Sequence, residues 1–163
     1  MLADAPAFLI AIEQSSFALA IRQSVWAYPT ANVGHILSLF LFAGAACVMD
    51  LVLLGVVRAV NPVAVVRGAR RATIAALLLM LATGSILFAA EASHVAMNPV
   101  FQIKLALIAA GLLNAALIGP LLRPTLDEVP PPVGFPLRLR AAAAMSLMIW
   151  LSVAGCGRLI AYF

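Results

Sequence analysis

Apolar positions run without alternation through four stretches of the chain, at about residues 32–57, 72–93, 102–120 and 141–162. Each is long enough to cross a hydrocarbon core of ~30 Å as a helix. A closed β-barrel is the other structure that satisfies every backbone group in lipid, but its strands alternate apolar and polar positions over ~10 residues. The run Ile74-Ala75-Ala76-Leu77-Leu78-Leu79-Met80 does not alternate. The pattern therefore predicts an all-α fold, a transmembrane four-helix bundle forming a single membrane domain over residues 1–163.

Ahead of the first span, residues 5–26 are apolar but interrupted by Glu13-Gln14-Ser15-Ser16 and by Arg22-Gln23-Ser24. These polar groups recur about seven residues apart, which places both on one side of a helix. An interfacial amphipathic helix is expected here, with a fifth span carrying Glu13 as the alternative. The start Met1-Leu2-Ala3-Asp4 lacks a basic region, which argues against a cleaved signal peptide.

Composition agrees with this reading. Of 163 residues, 65% are hydrophobic and 10% charged, a balance that excludes a water-soluble enzyme and a disordered chain. Tyr28-Pro29, Asn61-Pro62 and Asn98-Pro99 supply turn chemistry at span ends. Pro120, Pro124 and Pro130-Pro131-Pro132, with Asp127 and Glu128, suggest an extended polar loop over 121–140.

The net charge of +4 is a topology signal. Arg58, Arg67, Arg70 and Arg71 border the first connection, and Arg123, Arg138 and Arg140 the third. The preference of Lys and Arg for short cytoplasmic loops then places the N-terminus, the second connection and the C-terminus outside a bacterial inner membrane. Trp26, Tyr28, Tyr162 and Phe163 are expected in the outer aromatic belt. Nothing in this charge pattern calls for nucleic acid.

The chain has two histidines, and this topology puts both at the outer end: His35 opens the first span and His94 closes the second. A polar side chain at membrane depth is costly without a partner, and imidazole is the commonest metal ligand. Two histidines on adjacent antiparallel helices suit axial ligation of one iron in a helical bundle. Arg22, Lys104 and Arg158 are the basic residues expected at that end, where cations pair with haem propionates. Haem b is thus the expected cofactor, held by His35 and His94. No Cys-x-x-Cys-His occurs, so covalent attachment is not expected. Small residues, among them Gly34, Ser38, Gly84 and Ser93, permit close approach of a ring or of a neighbouring helix, including one from a second copy in a homo-oligomer.

Other chemistry is weighed on the same residues. Met97 follows His94 by three positions and its soft sulfur suits copper together with His35 and His94. The other methionines read better as apolar filling. Glu91, three residues before His94, either orients an imidazole or caps the helix end. Zinc hydrolysis lacks the usual ligand context. Deeper in the bundle, Asp50 lies 15 residues after His35, or ~22 Å along a helix, and so cannot share its metal. Asp50 and Asn114, with Arg70 or Arg71 reaching down, form either a structural polar cluster or a proton or quinone site. Cys47 and Cys156 lie at depths too different for a disulfide. Trp150 reads as bundle filling rather than the wall of a cofactor site.

With Trp26-Ala27-Tyr28-Pro29 at its entry, His35 early and Asp50-Leu51-Val52-Leu53-Leu54-Gly55 at its exit, the first span resembles an uncharacterised family of small bacterial four-span membrane proteins. The hairpin from Ser93-His94 to Asn98-Pro99-Val100-Phe101-Gln102-Ile103-Lys104 is similar to that family too, and the likeness covers about residues 24–119. In layout the chain is also similar to membrane b-type cytochromes and to the membrane domain of copper-resistance proteins. It departs from dihaem cytochromes in having two histidines, which bis-histidine ligation limits to one haem. The expectation is a single-haem electron-transfer subunit working with other redox or membrane subunits, or with quinone. A copper-handling membrane protein and a cofactor-free structural subunit are the alternatives.

Overall fold

A computed structural model describes residues 5–127 and 134–162. Residues 1–4, most of the proline-rich connection with Glu128, and Phe163 lie outside the described residues, and the expectations placed on them are not addressed. The described residues form helices α1 (Ala7–Glu13), α2 (Ser16–Gln23), α3 (Ala27–Leu54), α4 (Pro62–Ala90), α5 (Ala92–Met97), α6 (Pro99–Asp127) and α7 (Leu137–Leu159), with a closing 3-10 turn. The fold class is all-α as expected, and α3, α4, α6 and α7 are long and apolar enough to cross a membrane.

Local chemistry sets the helix ends. Asn61 accepts a hydrogen bond at Oδ1 from the Ala64 amide at 3.0 Å, and Pro62 follows at the first helical position, where a missing N–H costs nothing. α4 therefore starts ten residues before its continuous apolar stretch and carries Arg67, Arg70 and Arg71 on its first turns. α3 stops at Gly55, whose φ of 77° is left-handed. The Val56 amide reaches back to the Leu51 carbonyl at 3.0 Å and the Gly55 amide to Val52 at 3.0 Å, satisfying the terminal carbonyls.

Two expectations are corrected. The third span does not end at Pro120: α6 continues through Pro120 and Pro124 to Asp127. A proline within a helix costs ~3 kcal/mol, but the extra turns bury Leu122 and Leu126 against Val52, Leu53, Val66 and Leu139, which offsets it. The N-terminal region is also not one helix. It breaks at Gln14-Ser15, where Ser15 caps α2 by accepting from the Ala18 amide. Helices of 7 and 8 residues cannot cross a bilayer, which needs ~20.

The long helices alternate in direction. α3 packs on both α4 and α7, and α7 on α6. Accordingly the apolar windows of α3 and α7 are 33% and 28% buried, those of α4 and α6 only 6% and 11%. α3 and α7 are the inner pair; α4 and α6 flank them and present most of their surface outward. Phe42 and Trp150 meet edge-on at 4.6 Å between the inner helices, so Trp150 fills the bundle.

Candidate functional site

His35 sits on α3, two turns below the helix start and half-buried. Its Nδ1 lies 3.0 Å from Thr83 Oγ1 on α4. The Thr83 hydroxyl has one proton, which it donates to the Leu79 carbonyl at 2.7 Å. Toward the imidazole that oxygen is therefore an acceptor. In the tautomer that matches this bond Nδ1–H donates to Thr83 and Nε2 keeps its lone pair, the arrangement by which a second hydrogen bond orients a ligating histidine; the Met80 carbonyl also accepts from the ring. Gly84 makes room for the ring: a Cβ there would stand 3.2 Å from His35 Cε1.

Lys104 on α6 is the cation nearest in effect. It is half-buried within its span, close enough to His35 to act on it electrostatically. Its Nζ would stand 3.4 Å from a Cβ built at Gly157 on α7. Among the described residues Lys104 has no hydrogen-bond or ion-pair partner. His35 thus faces α4 and Lys104 faces α7, and the two lie within electrostatic reach of each other.

The other expected site residues lie elsewhere. His94 is exposed on α5, beside Glu13, and no bond joins it to His35 among the described residues. Gly84, level with the His35 ring, precedes the end of α4 by six residues, or ~9 Å of helix rise, and His94 lies beyond that end. Met97 shares α5 and is exposed. Arg22 donates to the Ala90 carbonyl at 2.6 Å and to the Glu13 carbonyl at 2.9 Å, and Arg158 donates to the Tyr162 hydroxyl at 2.9 Å while lying over its ring. Both guanidiniums are therefore occupied, Arg22 by the carbonyls of Ala90 and Glu13 and Arg158 by Tyr162. Glu91 is exposed at the break between α4 and α5, near the Tyr28 hydroxyl.

That break is closed by residues whose role the sequence does not announce. Glu13 accepts from the Ser93 amide at 2.8 Å and from the Ser93 hydroxyl. These bonds satisfy a first-turn donor of α5, whose own preceding residue supplies no side-chain cap. The Ser93 hydroxyl first, then its amide, hold the Glu13 carboxyl below its ordinary value.

Deeper in the bundle, Asp50 is 1% exposed, and its Oδ2 is buried with no hydrogen-bond partner. The Ser146 hydroxyl of α7 faces the same carboxyl group. Asn114 donates to the Ala142 carbonyl at 3.1 Å, so Asp50 and Asn114 address α7 one turn apart. Arg70 does not reach down to them; its guanidinium lies near Gly119 of α6. Cys47 and Cys156 are free thiols. No three His, Cys, Asp or Glu side chains converge among the described residues.

Residues 15–163 match a family described as a family of unknown function, DUF6644, and the chain belongs to it. Neither a curated protein nor a solved structure matches the chain.

Proposed function

We propose that this member of the DUF6644 family is a bacterial inner-membrane redox subunit that binds one b-type haem at the end of the bundle bearing α1, α2 and α5. His35 is the axial ligand through Nε2, and Lys104 is the cation for a propionate. What supports the reading is an imidazole held by Thr83 within electrostatic reach of a half-buried ammonium that has no carboxylate partner among the described residues. An anionic, iron-bearing ring satisfies both, and burying a charge without a partner is otherwise costly. The iron supplies the electron chemistry; the chain orients the ring and sets its surroundings.

In this reading the haem end faces outward and the arginine-rich end faces the cytoplasm, following the distribution of basic residues. Asp50, with its unpartnered oxygen, and Asn114 are the site for a proton or quinone on the inner side. On this reading the chain acts as a small membrane cytochrome together with other membrane subunits. Arg22 and Arg158 are not needed as propionate partners in this reading, because Arg22 is held by Ala90 and Glu13 and Arg158 by Tyr162. The second axial position is the open variable, and His94 on α5 is its candidate.

Titration of the purified chain in detergent with haem tests the proposal. One equivalent should bind and give the reduced-minus-oxidised bands of a histidine-ligated haem, with binding weakened in Lys104→Gln and lost in His35→Ala. The spectrum of His94→Ala decides the second position: a change of spin state assigns it to His94, and an unchanged spectrum assigns it elsewhere. A chain that binds no haem under any of these conditions refutes the reading.

A further inference from the structure

At the end of the bundle opposite His35, a cleft of about 250 Å³ opens between α4 and α6, lined by Arg67, Arg70, Arg71, Ile74, Arg123 and Leu126. Two helices thus bring four guanidiniums to one space. Arg67 donates to the Leu126 carbonyl at 2.8 Å, which ties the two helices together at this level. Arg70, Arg71 and Arg123 have no hydrogen-bond or ion-pair partner among the described residues. Like charges held this close repel one another, and Arg forks match phosphate oxygens two at a time. The cleft is built for a polyanion.

Its lining is graded. Ile74 lies one turn deeper into the apolar stretch than Arg70 and Arg71, and Leu126 belongs to the buried core. Cations at the rim above an apolar wall match the junction of a phosphate headgroup with its acyl chains, whereas a free anion has no use for that wall. The flanking position of α4 and α6 leaves the cleft open to the bilayer.

We propose that this cleft is a specific site for the phosphodiester headgroup of an anionic phospholipid, strongest for one with two phosphates such as diphosphatidylglycerol. The bound headgroup bridges α4 and α6, and basic pockets between membrane helices favour such lipids. The site is independent of the haem reading.

The test uses the full chain in detergent, with diphosphatidylglycerol, zwitterionic phosphatidylcholine or sodium phosphate added in turn. Lipid retention is read by native mass spectrometry and stability by thermal unfolding. Wild type should retain one diphosphatidylglycerol per chain and gain melting temperature from it. The triple variant Arg70→Gln/Arg71→Gln/Arg123→Gln should retain about tenfold less or lower still. The variant Arg138→Gln/Arg140→Gln, which removes charge from the same bundle end outside the cleft, should behave as wild type. Should the triple variant fail to fold, Arg123→Gln alone must still lower retention. Equal retention in wild type and the cleft variant, equal loss in Arg138→Gln/Arg140→Gln, or an equal gain from phosphatidylcholine overturns the site. An equal gain from sodium phosphate overturns the lipid and leaves a free-anion site.

Discussion

Glu13 and Ser93, 80 positions apart, are joined by two hydrogen bonds in which the Ser93 amide and hydroxyl donate to one carboxylate oxygen. The carboxylate of α1 thereby caps α5, and Arg22 of α2 caps the end of α4 by donating to the Ala90 carbonyl. The two N-terminal helices are a clasp over a break in the second span.

The clasp makes stability depend on acid. Because the Ser93 bonds lower the Glu13 carboxyl from 4.5, its contribution is complete above that value and is lost as pH falls through the lower folded value. Glu13→Gln should cost about 1 kcal/mol at neutral pH, a figure reduced by screening at the rim. Thermal unfolding between pH 7 and 3 should show the gap between wild type and variant closing toward the acid end.

Gly111 lets α6 approach α7 closely: a Cβ there would stand 2.8 Å from Trp150 Cζ2. Gly111→Ala should destabilise by about 1–3 kcal/mol through overpacking. Trp150 fluorescence should shift in the folded variant as the indole moves off Phe42.

Asp50 leaves a carboxyl oxygen unpartnered inside the bundle, a cost of about 1–3 kcal/mol if it serves structure alone. Asp50→Asn should therefore fold with stability within about 1 kcal/mol of wild type. On the proton-site reading, the variant also flattens the pH dependence of the haem midpoint potential, which redox titration at several pH values measures.

Among the described residues Lys104, unlike Arg22 and Arg158, has no hydrogen-bond partner. Lys104→Gln should weaken haem binding by about tenfold, the effect of one buried charge-assisted bond of about 1.4 kcal/mol. Arg158→Gln, which loses only its contact with Tyr162, should leave haem affinity within about twofold. Titrations of the two variants side by side make the comparison.

Much of this fold is legible in the sequence because lipid leaves few choices: long apolar runs must be helices, and the span count and fold class follow. Boundaries are less legible. Capping by Asn61 and burial of Leu122 and Leu126 extend α4 and α6 into segments whose arginines and prolines read as loop. Within the site, His35 and Lys104 stand out as polar residues in apolar stretches. Thr83 does not, since a threonine in a span commonly donates to its own helix, as this one also does. His94 reads in the sequence as the close of the second span, whereas the break at Glu91 puts it on the separate short helix α5. Glu13 gives no sequence signal of its tie to Ser93, because a contact across 80 positions is set by how the N-terminal helices fold back.

The central claim is that His35 Nε2, oriented by Thr83, is a haem ligand. Its most direct measurement is the electron paramagnetic resonance spectrum of the oxidised, haem-loaded chain, compared with Thr83→Val and His35→Ala. The account predicts a histidine-ligated ferric signal that broadens in Thr83→Val, where the ring loses its anchor, and disappears in His35→Ala. An identical signal in all three proteins would contradict it.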